Sequence, residues 1–373
     1  MTVAAVVGAA PLGWRDRLHA MRNRLLASPR FQHWAAAFPL TRPIARREAA
    51  ALFDLCAGFV YAQTLSACVS LDLFERLAAA PVAIGTLAGE AGMAPEAMLR
   101  LVRAGAALRL LETDGSSAQL GPLGAALRGN PGVAAMVRHH ALLYRDLADP
   151  VALLRGEASA SLAAFWPYEQ ATDERALAYS ALMAATQPMI AGEILAAYDF
   201  RRHRRLLDLG GGDGSFIGAV AKAAPLLDVM LFDVPAVAAL AEQRLAAAGL
   251  AARSRVLAGD MRCDVLPRDA DIITLVRVLH DHDDAQAMAI LRNARASLAS
   301  GATVMVAEPM AGTKGAQSMG DAYFGLYLFA MGSGRPRRPA ELVAMFEAAG
   351  FIGTKLHATR QPMLASVMTA VVP

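Results

Sequence analysis

Four polar residues in the C-terminal half each stand just beyond a short apolar run. Asp233 follows Val229–Phe232, Asp260 lies just past Arg255–Leu257, His280 lies past Ile272–Val276 and Glu308 follows Thr303–Ala307. Ahead of them, Leu206-Leu-Asp208-Leu runs into a glycine cluster at Gly210, Gly211, Gly212 and Gly214. Glycine at such spacing serves where a turn needs positive φ and where a ligand must touch backbone. An acid about twenty residues beyond a glycine-rich turn can accept hydrogen bonds from ribose hydroxyls. Asp260 beside Met261 can hold an adenine amino group and cover the ring. A histidine at a strand end can take the proton of a hydroxyl group as a new bond forms at its oxygen. An acid on the next strand, Glu308, can fix its tautomer as the acid of a catalytic triad does.

These residues work together only if a scaffold brings the ends of their runs to one edge. From residue 206 onward apolar runs alternate with helical patterns at 215–224, 235–248, 284–299 and 339–349. That alternation predicts an α/β fold with parallel strands, whose ligands bind at the carboxyl ends of the strands. Asp233 alone does not separate a dinucleotide from another adenosine ligand, and Asp233-Val-Pro235 can equally cap a helix.

Upstream, Trp14–Leu26 has apolar residues at helical spacing. Ile84–Gly92, Met93–Leu108 and a hairpin about Asp114-Gly115 give a winged-helix pattern. Its arginines are balanced by acids, which argues for a dimerisation module rather than a nucleic-acid reader. Paired His139 and His140 lack a third ligand, and Cys56, Cys68 and Cys263 have no metal spacing, so no metal is expected. The sparse cysteines suit a reducing cytoplasm. The apolar stretch Thr2–Ala10 follows no basic segment and reads poorly as a secretory signal. The apolar run Leu55–Leu71 reads as an interface helix rather than a membrane span. Eight arginines against two acids put +6 on the first fifty residues of a chain whose net charge is +3. Such an arm is either solvated or drawn to an anionic membrane surface. The expected division is a basic arm at 1–45, a helical winged-helix and substrate-lining region at 46–195, and the sheet domain at 196–373.

The compact glycine spacing with Asp208 at the strand end resembles motif I of S-adenosylmethionine (SAM) methyltransferases. With Phe232-Asp-Val-Pro235, Gly259-Asp-Met261, Leu279-His-Asp281, Glu308 and Glu347-Ala-Ala-Gly-Phe351, residues 48–373 resemble the plant-type SAM-dependent O-methyltransferases. Ala51–Tyr61 and Met331–Arg337 are most similar to the bacterial carotenoid members, of the hydroxyneurosporene or demethylspheroidene type; ring-pigment and polyketide methyltransferases share the framework. The resemblance implies a Rossmann-like SAM sheet and a homodimer formed through the N-terminal helical winged-helix domain. It also implies SAM contacts at Asp208, Gly210, Gly212, Asp233, Asp260, Met261 and Arg277, with His280 as base and Glu308 its partner. Three positions depart from the family pattern. Arg277 stands where lysine is common, Pro336 where plant members place a second glutamate beside the histidine, and Met331 near an asparagine used for phenols. With Met183 and Tyr327, Met331 suggests a lining for an apolar acceptor. A soluble, membrane-visiting methyltransferase is expected, with a SAM-binding regulator as the rival from another class.

Overall fold

The computed structural model describes residues 13–157, 160–165 and 173–373. Thr2–Ala10 and the start of the basic arm lie outside the described residues. The chain divides into two compact units, Met1–Leu71 with Val82–Ala118 and Asp72–Pro81 with Gln119–Pro373.

In the first unit, helices Trp14–Leu26, Pro29–Ala37 and Arg42–Ser70 follow one another. Ser28 caps the second by accepting from the Phe31 N–H, with Pro29 at its first turn. Arg42–Ser70 buries only Cys68 and Val69 within the chain. Among the described residues it is the one helix long and apolar enough to cross a membrane by length and composition. The winged-helix expectation holds in its elements. Helices Ile84–Glu90 and Pro95–Ala107 precede strands β2 (Leu111–Thr113) and β3 (Ser117–Leu120), and β1 (Val82–Ala83) pairs antiparallel with β3. Asp114 makes the hairpin turn by accepting from the N–H groups of Ser116 and Ser117.

The second unit is built on a seven-stranded sheet. Its strands are β4 (Arg205–Leu209), β5 (Asp228–Asp233), β6 (Ser254–Ala258), β7 (Ile272–Val276), β8 (Thr303–Glu308), β9 (Ile352–His357) and β10 (Ser366–Val371), in the order β6-β5-β4-β7-β8-β10-β9. The five runs read from sequence are the parallel strands β4–β8. The hairpin β9–β10 was not legible there. β10 pairs antiparallel along β8, and β9 lies outside it with four of its six residues exposed, so the sheet is not wholly parallel.

Strand side chains alternate between faces, and each face has its own core. Leu207, Met230, Ile273 and Val304 pack with Ile290 and Phe346 on one side. Leu206, Val229, Ile272 and Met305 pack with Ile194, Phe216 and Leu245 on the other. Burying each such side chain fully stabilises the fold by about 1.5–3 kcal/mol. Ile190 and Ile194 belong to helix Asp173–Ala197, so that helix clusters with the sheet rather than with the first unit. The compact unit therefore reaches upstream of residue 196, because the apolar face of that helix is buried by the sheet's own helices.

Candidate active site

The glycine turn after β4 is built as its composition requires. Gly210, Gly212 and Gly214 have φ of 67°, 59° and 79°, values that L side chains rarely adopt. Gly210 donates its N–H to the Phe232 carbonyl, and a Cβ on it would lie 2.9 Å from Val278 Cγ2. Gly214 opens helix Ser215–Ala223. Asp208 stands at the floor of the cavity over the turn. It is buried, accepts from Thr274 Oγ1 at 2.6 Å, and burial raises its carboxyl to about 7. Its role is to tie β4 to β7 under the turn.

Asp233, at the end of β5, accepts from the Gly212 N–H at 2.8 Å and from the Val234 N–H at 2.7 Å. It therefore braces the glycine turn and starts the next helix at once. Burial raises its carboxyl to about 6 against those two donors. Asp260 is paired with Arg262, 2.8 Å away, and that partner lowers its carboxyl. Met261 lies over the turn, with Sδ and Cε 3.7 Å from the place a Gly210 Cβ would take.

A cavity opens over these residues, lined by Asp208, Gly210, Gly212, Met183, Ser180 and Arg277. The Ser180 hydroxyl is buried there with no hydrogen-bond partner among the described residues. Arg277 caps β7 with φ 56° and donates to Thr186 Oγ1 at 2.7 Å, to the Met183 carbonyl at 3.0 Å and to Gln187 Oε1. All three acceptors lie on helix Asp173–Ala197, which contains Pro188. Proline supplies no N–H to the Ala184 carbonyl, one residue beyond the carbonyl that the guanidinium reaches. A planar fork reaching three acceptors is work that lysine's point charge does not do. The departure from the family pattern thus has a structural use.

His280 sits in a single turn of 3-10 helix, Leu279–Asp281, after β7. The segment's main chain is held from three sides. Glu308 accepts from the His280 N–H at 3.0 Å, Arg335 donates its N–H to the His280 carbonyl at 2.9 Å, and Arg337 donates to the carbonyls of Leu279 at 2.6 Å and His282 at 2.8 Å. Arg337 is wholly buried and also meets Asp284 at 2.9 Å. Gly334 has φ 82°, and a Cβ on it would stand 2.1 Å from the His280 carbonyl oxygen.

The expected triad-like contact from Glu308 to the imidazole is replaced by another. Glu308 grips the backbone, and Asp281 Oδ1 lies 3.2 Å from His280 Nε2. A carboxylate there favours the proton on Nε2 and leaves Nδ1 as the acceptor. Nδ1 is buried with no hydrogen-bond partner among the described residues. Burial, then Arg277, Arg337 and His282, lower the imidazole to about 3, so it is neutral at physiological pH. Burial raises Glu308 to about 7. Asp281 and Arg337 were missed as positioning residues. Both belong to motifs singled out in the sequence, but their targets emerge only from tertiary contact.

The suggested acceptor lining divides. The His280 ring lies 5.7 Å from that of Phe324. Phe324 begins helix Phe324–Met331, preceded by π-helix Ser318–Tyr323, a form frequent at functional sites. Tyr327 is buried on this helix, and its hydroxyl meets His139 Nε2 at 2.8 Å; Tyr323 meets His140 at 2.6 Å. The paired histidines are thus tyrosine partners. Met331 is packed in a core cluster with Leu143, Leu153 and Leu162, away from the glycine turn's cavity, which Met183 lines.

The chain matches the model of an O-methyltransferase domain over residues 144–352 and of an O-methyltransferase dimerisation domain over residues 53–124. It is 45% identical to demethylspheroidene O-methyltransferase of Cereibacter sphaeroides, over 94% of each chain. To the Rhodobacter capsulatus protein of that name it is 40% identical, over 93% of this chain and 88% of that one. Among solved structures it resembles mitomycin 7-O-methyltransferase MmcR, with TM-score 0.74, 26% identity and coverage of 88% and 100%. It also resembles CalO1, a methyltransferase of calicheamicin biosynthesis solved with S-adenosylhomocysteine, with TM-score 0.75, 26% identity and coverage of 88% and 98%. The match over 53–124 covers the exposed helix from residue 53 onward and the winged-helix elements, and supports a homodimer. With a glycine turn, strand-end acids and a buried neutral histidine set on this sheet, the chain belongs to the family of S-adenosylmethionine-dependent O-methyltransferases.

Proposed function

We propose that this protein methylates a tertiary hydroxyl of a long, apolar carotenoid of the demethylspheroidene type. The observation that carries the acceptor class is the 45% and 40% identity, over nearly whole chains, to two enzymes named for that reaction. The aromatic ring of Phe324 beside His280 supports it.

The residues present fit SAM. A cradle closed to side chains at Gly210 and the Ser180 hydroxyl, unpartnered among the described residues, face one cavity. Gly210, Gly212 and Ser180 would hold the amino-acid end, Asp233 the ribose hydroxyls, and Met261 the adenine face. Asp260, engaged by Arg262, would offer its remaining lone pairs to the adenine amino group. When bound, the cofactor supplies a methyl group on a positive sulfur. His280 takes the acceptor's hydroxyl proton on Nδ1 as the oxygen–carbon bond forms, and Asp281 stabilises the imidazolium. An alcohol is a weak acid, so alignment matters as much as basicity. Glu308, Arg335 and Arg337 supply that alignment through the backbone.

The test incubates the protein with methyl-labelled SAM and separate hydroxycarotenoids, porphyrin pigments and aromatic polyketides. Label is expected in the ether of the hydroxycarotenoid. Label only in a ring pigment or polyketide overturns the acceptor class.

Asp233 gives a pH prediction. Its folded carboxyl titrates near 6, and the ionised form is the better acceptor for ribose hydroxyls. Protonation therefore removes binding strength as pH falls. Below pH 6 the Kd for SAM should rise by up to about tenfold per pH unit, and the Asp233→Asn variant should lose that slope. Calorimetric titration from pH 8 to 5 measures both; a wild-type slope retained by the variant removes Asp233 from the binding site.

A further inference from the structure

Helix Trp14–Leu26 lies outside the dimerisation match and has no buried residue. At about 100° per residue, Trp14, Leu18, Met21 and Leu25 fall within an arc of about 60°. Arg17 and Arg24 flank that arc on one side, at about −60° and −80° from Trp14, and Arg22 and Arg15 on the other, at about 80° and 100°. Asp16, His19 and Asn23 fall on the opposite side, between about 140° and 200°. The four stripe residues are 49–68% exposed. The next helix adds Trp34 and, just after it, Phe38, both exposed, with rings stacked 5.3 Å apart.

A narrow apolar stripe headed by tryptophan and edged by arginine on both sides has the layout of a helix lying in a membrane interface. The stripe enters the acyl boundary, the arginine stems follow it down, and their guanidinium groups stay at headgroup level. We propose that this helix docks the enzyme on an anionic lipid surface. Four arginines against one aspartate supply the complementary charge. A second copy of the same helix does not, since pairing two stripes would bring their arginine edges together. The inference rests on the apolar-acceptor reading for its purpose: an enzyme held at the interface meets a carotenoid where it is dissolved. The binding itself is argued from the helix alone.

The test floats the full-length protein, without SAM or acceptor, on vesicles of phosphatidylcholine alone or of equal parts phosphatidylcholine and phosphatidylglycerol. Binding is expected to the anionic vesicles, to weaken with salt, and to fall at least tenfold in Leu18→Glu/Met21→Glu. Replacing Arg15, Arg17, Arg22 and Arg24 together by glutamine should remove the preference for phosphatidylglycerol. Both variants should remain dimeric by light scattering and methylate a detergent-dispersed acceptor at the wild-type rate. Absence of vesicle binding, binding unchanged by both variants, or dissociation of Leu18→Glu/Met21→Glu into monomers each overturns the proposal, the last by assigning the stripe to a second copy. Failure of the carotenoid assay with vesicle binding intact would instead overturn the acceptor reading.

Discussion

Replacing His280 by glutamine is expected to lower kcat by roughly 10²–10⁴-fold, the span a positioned general base contributes. Glutamine keeps much of the volume and a polar tip, so the loop held by Glu308, Arg335 and Arg337 should survive. SAM affinity should be unchanged, because the ring is not part of the glycine turn's cradle. The loss should appear in kcat and kcat/KM together, the signature of an interaction made in the transition state. The protonation state supports the assignment. Burial and two nearby guanidinium groups lower the imidazole to about 3, below its ordinary value. The folded site therefore holds the neutral ring at pH 6 as well as at pH 8. Single-turnover rates of the wild type, with SAM saturating, should lack an acid limb from His280 in that range. Wild-type turnover in the glutamine variant would remove His280 from the chemistry.

The second large effect is expected away from the reacting atoms. Arg337 is wholly buried, and its guanidinium bridges the carbonyls of Leu279 and His282 to Asp284. Methionine there keeps apolar bulk and removes every donor. Each carbonyl left without a donor costs about 1–3 kcal/mol, which urea denaturation would detect. Asp284 adds little, because its carboxylate is 59% exposed and water can solvate it. The argument for positioning, rather than stability alone, rests on coupling. Arg337→Met should lower kcat at a temperature where the variant is fully folded. Combined with His280→Gln it should lower kcat little further, since both changes disable one unit. Fully additive losses would make Arg337 a structural residue only.

Strand ends were legible in the sequence because each parallel strand is an apolar run that stops at a polar residue, and the sheet places those stops on one edge. The glycine turn was legible because positive φ demands glycine. The support of the catalytic loop was not. Arg337 and the carbonyls it serves are more than fifty residues apart, and nothing in local spacing distinguishes a buried guanidinium from a solvated one. The Glu308 carboxylate was placed on the correct strand, but its reach to the backbone rather than the ring depends on ångström-scale geometry. β9 was missed for another reason. It is a mostly exposed edge strand with Gly353 and Lys355 in it, and so lacks the apolar run that marked β4–β8. Met331 illustrates the reverse case, a residue of suggestive type that the packing uses for its volume.

The helix Arg42–Ser70 carries one more consequence. Alone, a chain leaves Leu52, Phe53, Leu55 and Phe59 of that helix 66–82% exposed. If the homodimer covers them, part of the fold's free energy becomes a term in protein concentration, by mass action. Dilution then acts as a denaturant. The unfolding midpoint becomes a property of the preparation as well as of the sequence, and a substitution remote from the sheet can inactivate the enzyme by shifting an association equilibrium while every residue of the active site remains in place.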